Sequence, residues 1–147
     1  MQSATAWDTL VVRGGQVFVD KLAELLFVLS LNAAHAAIMA YGPRAANPMV
    51  TVNIRETYKA VIESYLDVAT RCIQPGFWEV GTTWTPTRVQ LAKLHFRRAI
   101  EISTWGSIEE TPAVLANIER AEHYAPNDPS IMEFKHTVMA SLGMGRQ

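Results

Sequence analysis

The sequence predicts an all-α protein. It reads as a five-helix bundle with a repeat-like C-terminal helical hairpin and, in one reading, a short N-terminal β-hairpin. Three observations carry this. Apolar residues recur at spacings of three and four through several long windows. Proline, glycine and Asn/Asp/Thr residues punctuate those windows where helices start and stop. The stretch "AELLFVLSLNAAHAAIMAY", residues 23–41, is nearly free of charge and reads as one long helix.

Composition sets the bounds. The chain has 147 residues, enough for one domain with its own core. It reads as a single helical domain over residues 1–147, with 1–19 an arm or hairpin, 20–105 three long helices and 112–143 a helical hairpin. Apolar residues make up 49% and charged residues 18%, below the roughly 25% charge of ordinary soluble domains. Some of the surface is therefore expected to meet protein or lipid. Net charge is -1, from 13 basic and 14 acidic residues. A nucleic-acid partner usually announces itself as a clustered basic excess, so none is expected. Arg97, Arg98 and Lys93 read as a solvated helix face. The lone cysteine, Cys72, excludes an intrachain disulfide and a cysteine metal cluster, and reads as core packing.

Taken in order, residues 9–20, "TLVVRGGQVFVD", place two runs of β-formers around Gly14-Gly15, which can supply the positive φ of a two-residue turn. That hairpin would carry apolar residues on both faces, Val11 opposite Phe18 among them. Its rival is a helix broken at the glycines.

The first long helix is expected from about Asp20 to Tyr41. Three readings compete for it. A cleaved signal needs a short basic lead-in, whereas Asp8, Asp20 and Glu24 crowd this one, so no cleaved signal is expected. A membrane span needs about 20 mostly apolar residues. Residues 25–41 lack formal charge, but Asn32 and His35 sit mid-span, where polar groups are costly. The favoured reading is a helix covered by protein. Leu22, Leu25, Leu26, Leu29, Ala33, Ala36 and Ala40 form its stripe, and Phe27, Val28, Leu31, Ile38 and Met39 cover much of the remainder. A helix apolar all round lies at the centre of a bundle or between subunits. His35 reads as a core histidine.

Gly42 to Pro48 carries stop signals. The second helix spans about Ile54 to Ile73, with Asn53 and Glu56 at capping-box spacing. Ile54, Tyr58, Val61, Tyr65, Val68 and Cys72 mark one face, and Lys59, Glu63 and Asp67 the other. Gln74 to Pro86 is a loop holding Phe77, Trp78 and Trp84, which either plug the core from its edge or anchor a partner. Thr85 before Pro86 has the form of a helix start. The third helix runs to about Thr104, with Val89, Ala92, Phe96, Ala99 and Ile102 buried and His95 packing beside them. Two short helices follow, about Pro112 to Tyr124 and Pro129 to Leu142.

The tail "AVLANIERAEHYAPNDPSIMEFKHTVMASLG", Ala113 to Gly143, resembles the junction between two tetratricopeptide repeats. Ala121 stands five residues ahead of Pro126, and Asn127-Asp128-Pro129 opens the next helix. Met132 and Met139 match loosely, while Lys135 and His136 depart from the pattern. The match spans about 30 residues, and a solenoid needs about three such units. The resemblance implies protein–protein binding rather than catalysis.

A search for chemistry turns up little. Glu133-x-x-His136 has the form found in di-iron carboxylate bundles, which need two such motifs and two further glutamates. No phosphate loop or nucleophile elbow is present. Glu109-Glu110 sit where they complement a helix dipole. No catalytic residue, metal site or cofactor is expected. The expected role is that of a non-enzymatic structural or adaptor protein, a virion, filament or complex subunit, acting through self-assembly or protein binding. Its setting is the cytoplasm or a macromolecular assembly. The candidate interface comprises Val11, Phe18, Phe27, Val28, Leu31, Ile38, Met39, Phe77, Trp78 and Trp84. The alternatives are a single-span subunit of a membrane complex, and a metal-binding or hydrolytic helical enzyme using His35, His95, His123, His136 or Glu133.

Overall fold

Forty residues, Gln2–Tyr41, form one continuous helix, α1. A computed structural model describes the backbone of residues 2–78 and 81–143, with side chains from Gly14 onward. The N-terminal hairpin is thereby corrected: residues 9–20 are helical, and no strand occurs among the described residues. Two physical reasons account for this. Glycine inside a helix costs only about 1 kcal/mol, whereas a lone hairpin with two apolar faces needs cover on both sides. The helix also gains a local contact, since Gln16 Nε2 donates to Asp20 Oδ1 one turn on, at 3.0 Å. The side chain of Val11 lies outside the described residues.

The chain then turns through a short 3₁₀ segment, Gly42–Arg44, and enters α2, Val52–Cys72. Its cap is Thr51, whose hydroxyl accepts from the Ile54 amide at 3.3 Å; Asn53, the expected cap, lies inside the first turn. Helix α3, Arg88–Trp105, starts two residues later than expected. Thr87 and Gln90 form a reciprocal capping box there, with bonds of 3.1 and 2.8 Å. Satisfying two orphan backbone donors at once outweighs the Thr85-Pro86 signal. Helices α4, Thr111–Tyr124, and α5, Pro129–Ser141, lie where the sequence places them. Asp128 caps α5 by accepting from the amides of Ser130 and Ile131. Asn127 takes the tight turn before it, with φ at +66°.

Chain neighbours are also spatial neighbours. The pairs α1–α2 and α3–α4 pack most extensively, and α2–α3 joins them. Two cores result. The first gathers Phe27, Leu31, Ala34, Ile62, Leu66, Cys72, Leu94 and Trp105 from α1, α2 and α3. The second gathers Ala99, Val114, Ile118, Ala121, Ile131 and Val138 from α3, α4 and α5. Helix α3 serves both, so it buries two faces. Its expected stripe is therefore only half of what it buries: Leu94 and Trp105 belong to the other side, while Val89 is exposed. Along α2 the buried row is Ile62, Leu66, Ala69 and Cys72. That row is rotated from the expected one, and Ile54 and Tyr65 face outward.

Charge gathers where α2 meets α3. Arg98 bridges Asp67 at 3.0 Å and also donates to Thr70. Glu101 is buried in this seam. Its carboxyl pKa is pushed up to about 8 by desolvation and by the facing Glu63 carboxyl.

Candidate partner-binding surface

The long apolar helix is expected to be covered on all sides, and the structure turns only one of its two apolar faces inward. The face turned inward carries Ala23, Phe27, Leu31, Ala34 and Ala37. Phe27 packs on Trp84 with ring centroids 5.6 Å apart, and small Ala34 and Ala37 let α2 approach closely. Most of the stripe marked by spacing is left outside, although Leu26 packs on the first core. Leu22, Leu25 and Leu29 are 37%, 54% and 55% exposed, Phe18 is 64% and Met39 65%. Ala36 and Ala40 are exposed with them. Periodicity detects an apolar face but does not say which of two such faces turns inward.

The outer row is regular. Positions 15, 18, 22, 25, 29, 32, 36 and 39 are all exposed and alternate in steps of three and four. That is a heptad seam, the spacing by which one helix packs along another. Gly15, Asn32 and Ala36 interleave with the five large side chains. From Phe18 to Met39 the row runs about 32 Å at the helical rise. Lys21 and Glu24 pair with one another at 3.5 Å beside it, and no formal charge follows until Arg44. A contiguous apolar patch of this kind marks an interaction site more often than scattered surface hydrophobes do.

The remaining interface candidates divide. Phe27 and Leu31 are enclosed by the first core and are removed from the outer surface. Ile38 is half-buried and packs on that core, and Val28 is half-buried at the edge of the outer row. In the loop, Trp84 is the plug against Phe27. Trp78 is half-buried and its indole N–H donates to the Cys72 carbonyl at 3.1 Å. Phe77 stays exposed beside it, edge-on at 5.1 Å. His35, expected in the core, is exposed on α1.

Asp20 was missed by the sequence reading. Its carboxylate accepts from the Thr82 and Thr83 hydroxyls, the Thr83 and Trp84 amides and Gln16. Those bonds, chiefly from the two threonines, hold its pKa far below the usual carboxylate range. Asp20 thus fastens the tryptophan loop to α1 and seats Trp84 over Phe27. Nothing in local spacing reveals a contact across more than sixty residues.

A second cluster lies on α3 and α4. The His95 ring stacks on Tyr124 at 5.8 Å, and the Arg88 guanidinium lies over the same tyrosine ring at 5.5 Å while donating to the His123 carbonyl. Burial lowers the His95 pKa, and the Asn117 side chain opposes that shift. Cys72 is buried and its thiol is pushed up to about 11 by desolvation, which makes it a poor nucleophile. Glu133 and His136 both face solvent on α5. Comparisons with protein-family models, with curated sequences and with solved structures find no match.

Proposed function

We propose that this chain is a non-enzymatic structural or adaptor subunit that acts by binding protein along the outer face of α1. The observation that carries the reading is the exposed row Phe18, Leu22, Leu25, Leu29 and Met39. Five large apolar side chains on one regular helical face cost free energy in water, at about 25 cal/mol per Å². Covering them returns that energy, and a heptad seam is shaped for a helix.

Residues 14–44 are also long and apolar enough to cross a membrane, with only 33% of the apolar window buried. That favours a second reading, a single-span subunit of a membrane complex. Two contacts weigh toward protein. Arg97 of α3 donates to the Leu31 carbonyl, in the middle of that segment, at 2.8 Å. Helix α2, with Lys59, Glu63 and Asp67, packs along the same helix. Inserting α1 would either strip it from these partners or carry their charges toward lipid, which is costly.

The test is a photoreactive amino acid placed at Leu25 in the living cell, with Val89, an isolated exposed apolar residue, as control. Protein adducts at position 25 and not at position 89 are expected. Absence of any protein adduct at 25, with the chain sedimenting in the membrane fraction until detergent is added, would overturn the reading in favour of the membrane subunit.

A further inference from the structure

The occupant of this face can be specified from its own side chains. We infer that a second copy of the chain covers it, through an antiparallel α1–α1 seam centred near Phe27. This rests on the protein-binding reading above and names the partner.

The first argument is shape. In an antiparallel seam each a position faces a d position of the other helix. Only registers whose facing residue numbers share a constant sum are allowed. The register that uses the whole row, from 15 to 39, sets Gly15 against Met39, Phe18 against Ala36, Leu22 against Asn32 and Leu25 against Leu29. Every bulky side chain in the outer layers then meets a small or short one, and the two central layers are leucine on leucine. The gap between the helices stays even along the seam. A parallel seam would stack Phe18 on Phe18 at one end and Ala36 on Ala36 near the other, so the helices would splay. A twofold axis presents the same patch on both sides, and this row is complementary to its own reverse.

The second argument is area. The five large residues are 37–65% exposed. With on the order of 150–250 Å² for a large side chain, that leaves roughly 500 Å² uncovered per copy. Pairing two copies doubles it to about 1,000 Å², the size at which a specific interface becomes credible. Charge does not oppose the approach, because Lys21 is already paired with Glu24.

Light scattering on the purified full chain, without detergent, is the first measurement. A mass of twice 16.3 kDa is expected, with Leu25→Glu returning it to one chain while circular dichroism stays helical. Leu29→Glu serves as a second variant should Leu25→Glu misfold. Orientation is read with a short bis-thiol cross-linker. The Phe18→Cys/Ala36→Cys double variant should give covalent dimers, and Phe18→Cys alone should not, since the two copies of position 18 would stand about 27 Å apart along the seam. Native Cys72 is buried and does not compete. A monomer at tens of micromolar overturns the inference. So does a dimer that survives both glutamate variants, or one that cross-links through Phe18→Cys alone. The cell experiment separates the two claims: an adduct from position 25 to a different polypeptide, and none at twice the chain mass, overturns self-pairing and leaves the protein-binding reading intact.

Discussion

Glu101 shows how one buried side chain sets the pH response of the fold. Its carboxyl is raised from 4.5 to about 8 by burial and by Glu63, so the folded chain holds a proton that the unfolded chain has released. The folded state therefore binds more protons across that range. Stability from this residue is complete below pH 4.5 and is lost as pH rises toward 8. Glu101→Gln keeps the shape and the donor of the protonated acid. We expect the variant to match the parent near pH 5 and to be more stable at pH 8.5, by about 3 kcal/mol. Urea titrations at the two pH values check this; equal differences at both would contradict it. His95 works in the other direction below about pH 6.5, because its folded pKa is lowered, so the comparison is made between variants at each pH. Asp20 does not interfere, being ionised throughout that window in both states. Its role is read differently. In Asp20→Ala the Thr83 amide loses its acceptor, and its hydrogen exchange should rise by about tenfold or more, the equivalent of one charge-assisted hydrogen bond. Unchanged exchange there would mean that something else holds the loop.

Among the elements, what was legible in the sequence was whatever is decided locally. Pro112, Asp128 and Pro129 place α4 and α5 to within a residue at each end, because caps and prolines act through backbone groups of the same turn. Losing the Asp128 side chain should accordingly cost about 1 kcal/mol in Asp128→Ala, measured as a lower thermal midpoint; no change would show that α5 is held by packing alone. What was not legible was decided by distant partners. The two faces of α1 are both apolar, and the choice between them was made by Trp84 and by the close approach of α2, neither of which leaves a mark on residues 22–40. The same holds for α2, whose buried row is turned toward a helix that the sequence does not position. Gly14-Gly15 misled for a related reason: a turn signal is a local preference, and a helix already running on either side overrides it at small cost. The candidate surface was thus half visible. Phe18, Met39 and Phe77 are exposed, Phe27 and Leu31 went to the core, and Leu22, Leu25 and Leu29, which the spacing grouped with the covered stripe, are exposed instead.

At the scale of the molecule, α3 decides how the chain unfolds. It contributes Leu94 and Trp105 to one core and Ala99 to the other, so neither core can be lost while the helix stays fully covered. That predicts one cooperative transition rather than two. Ile62 and Ile118 sit at the centres of the separate cores, 0% and 1% exposed. Ile62→Ala and Ile118→Ala should each cost about 2–5 kcal/mol, and the double variant should cost close to their sum because the two sites share no neighbours. The readout comes from the composition. Trp84 and Trp105 pack in the first core and no tryptophan follows position 105, so the fluorescence of these two reports on that core, while far-ultraviolet circular dichroism reports on every helix. With α3 shared, the two signals should trace the same curve in both single variants. If Ile118→Ala lets the circular dichroism fall before the fluorescence moves, the second core melts by itself, and α3 is a hinge between two units rather than a spine common to both.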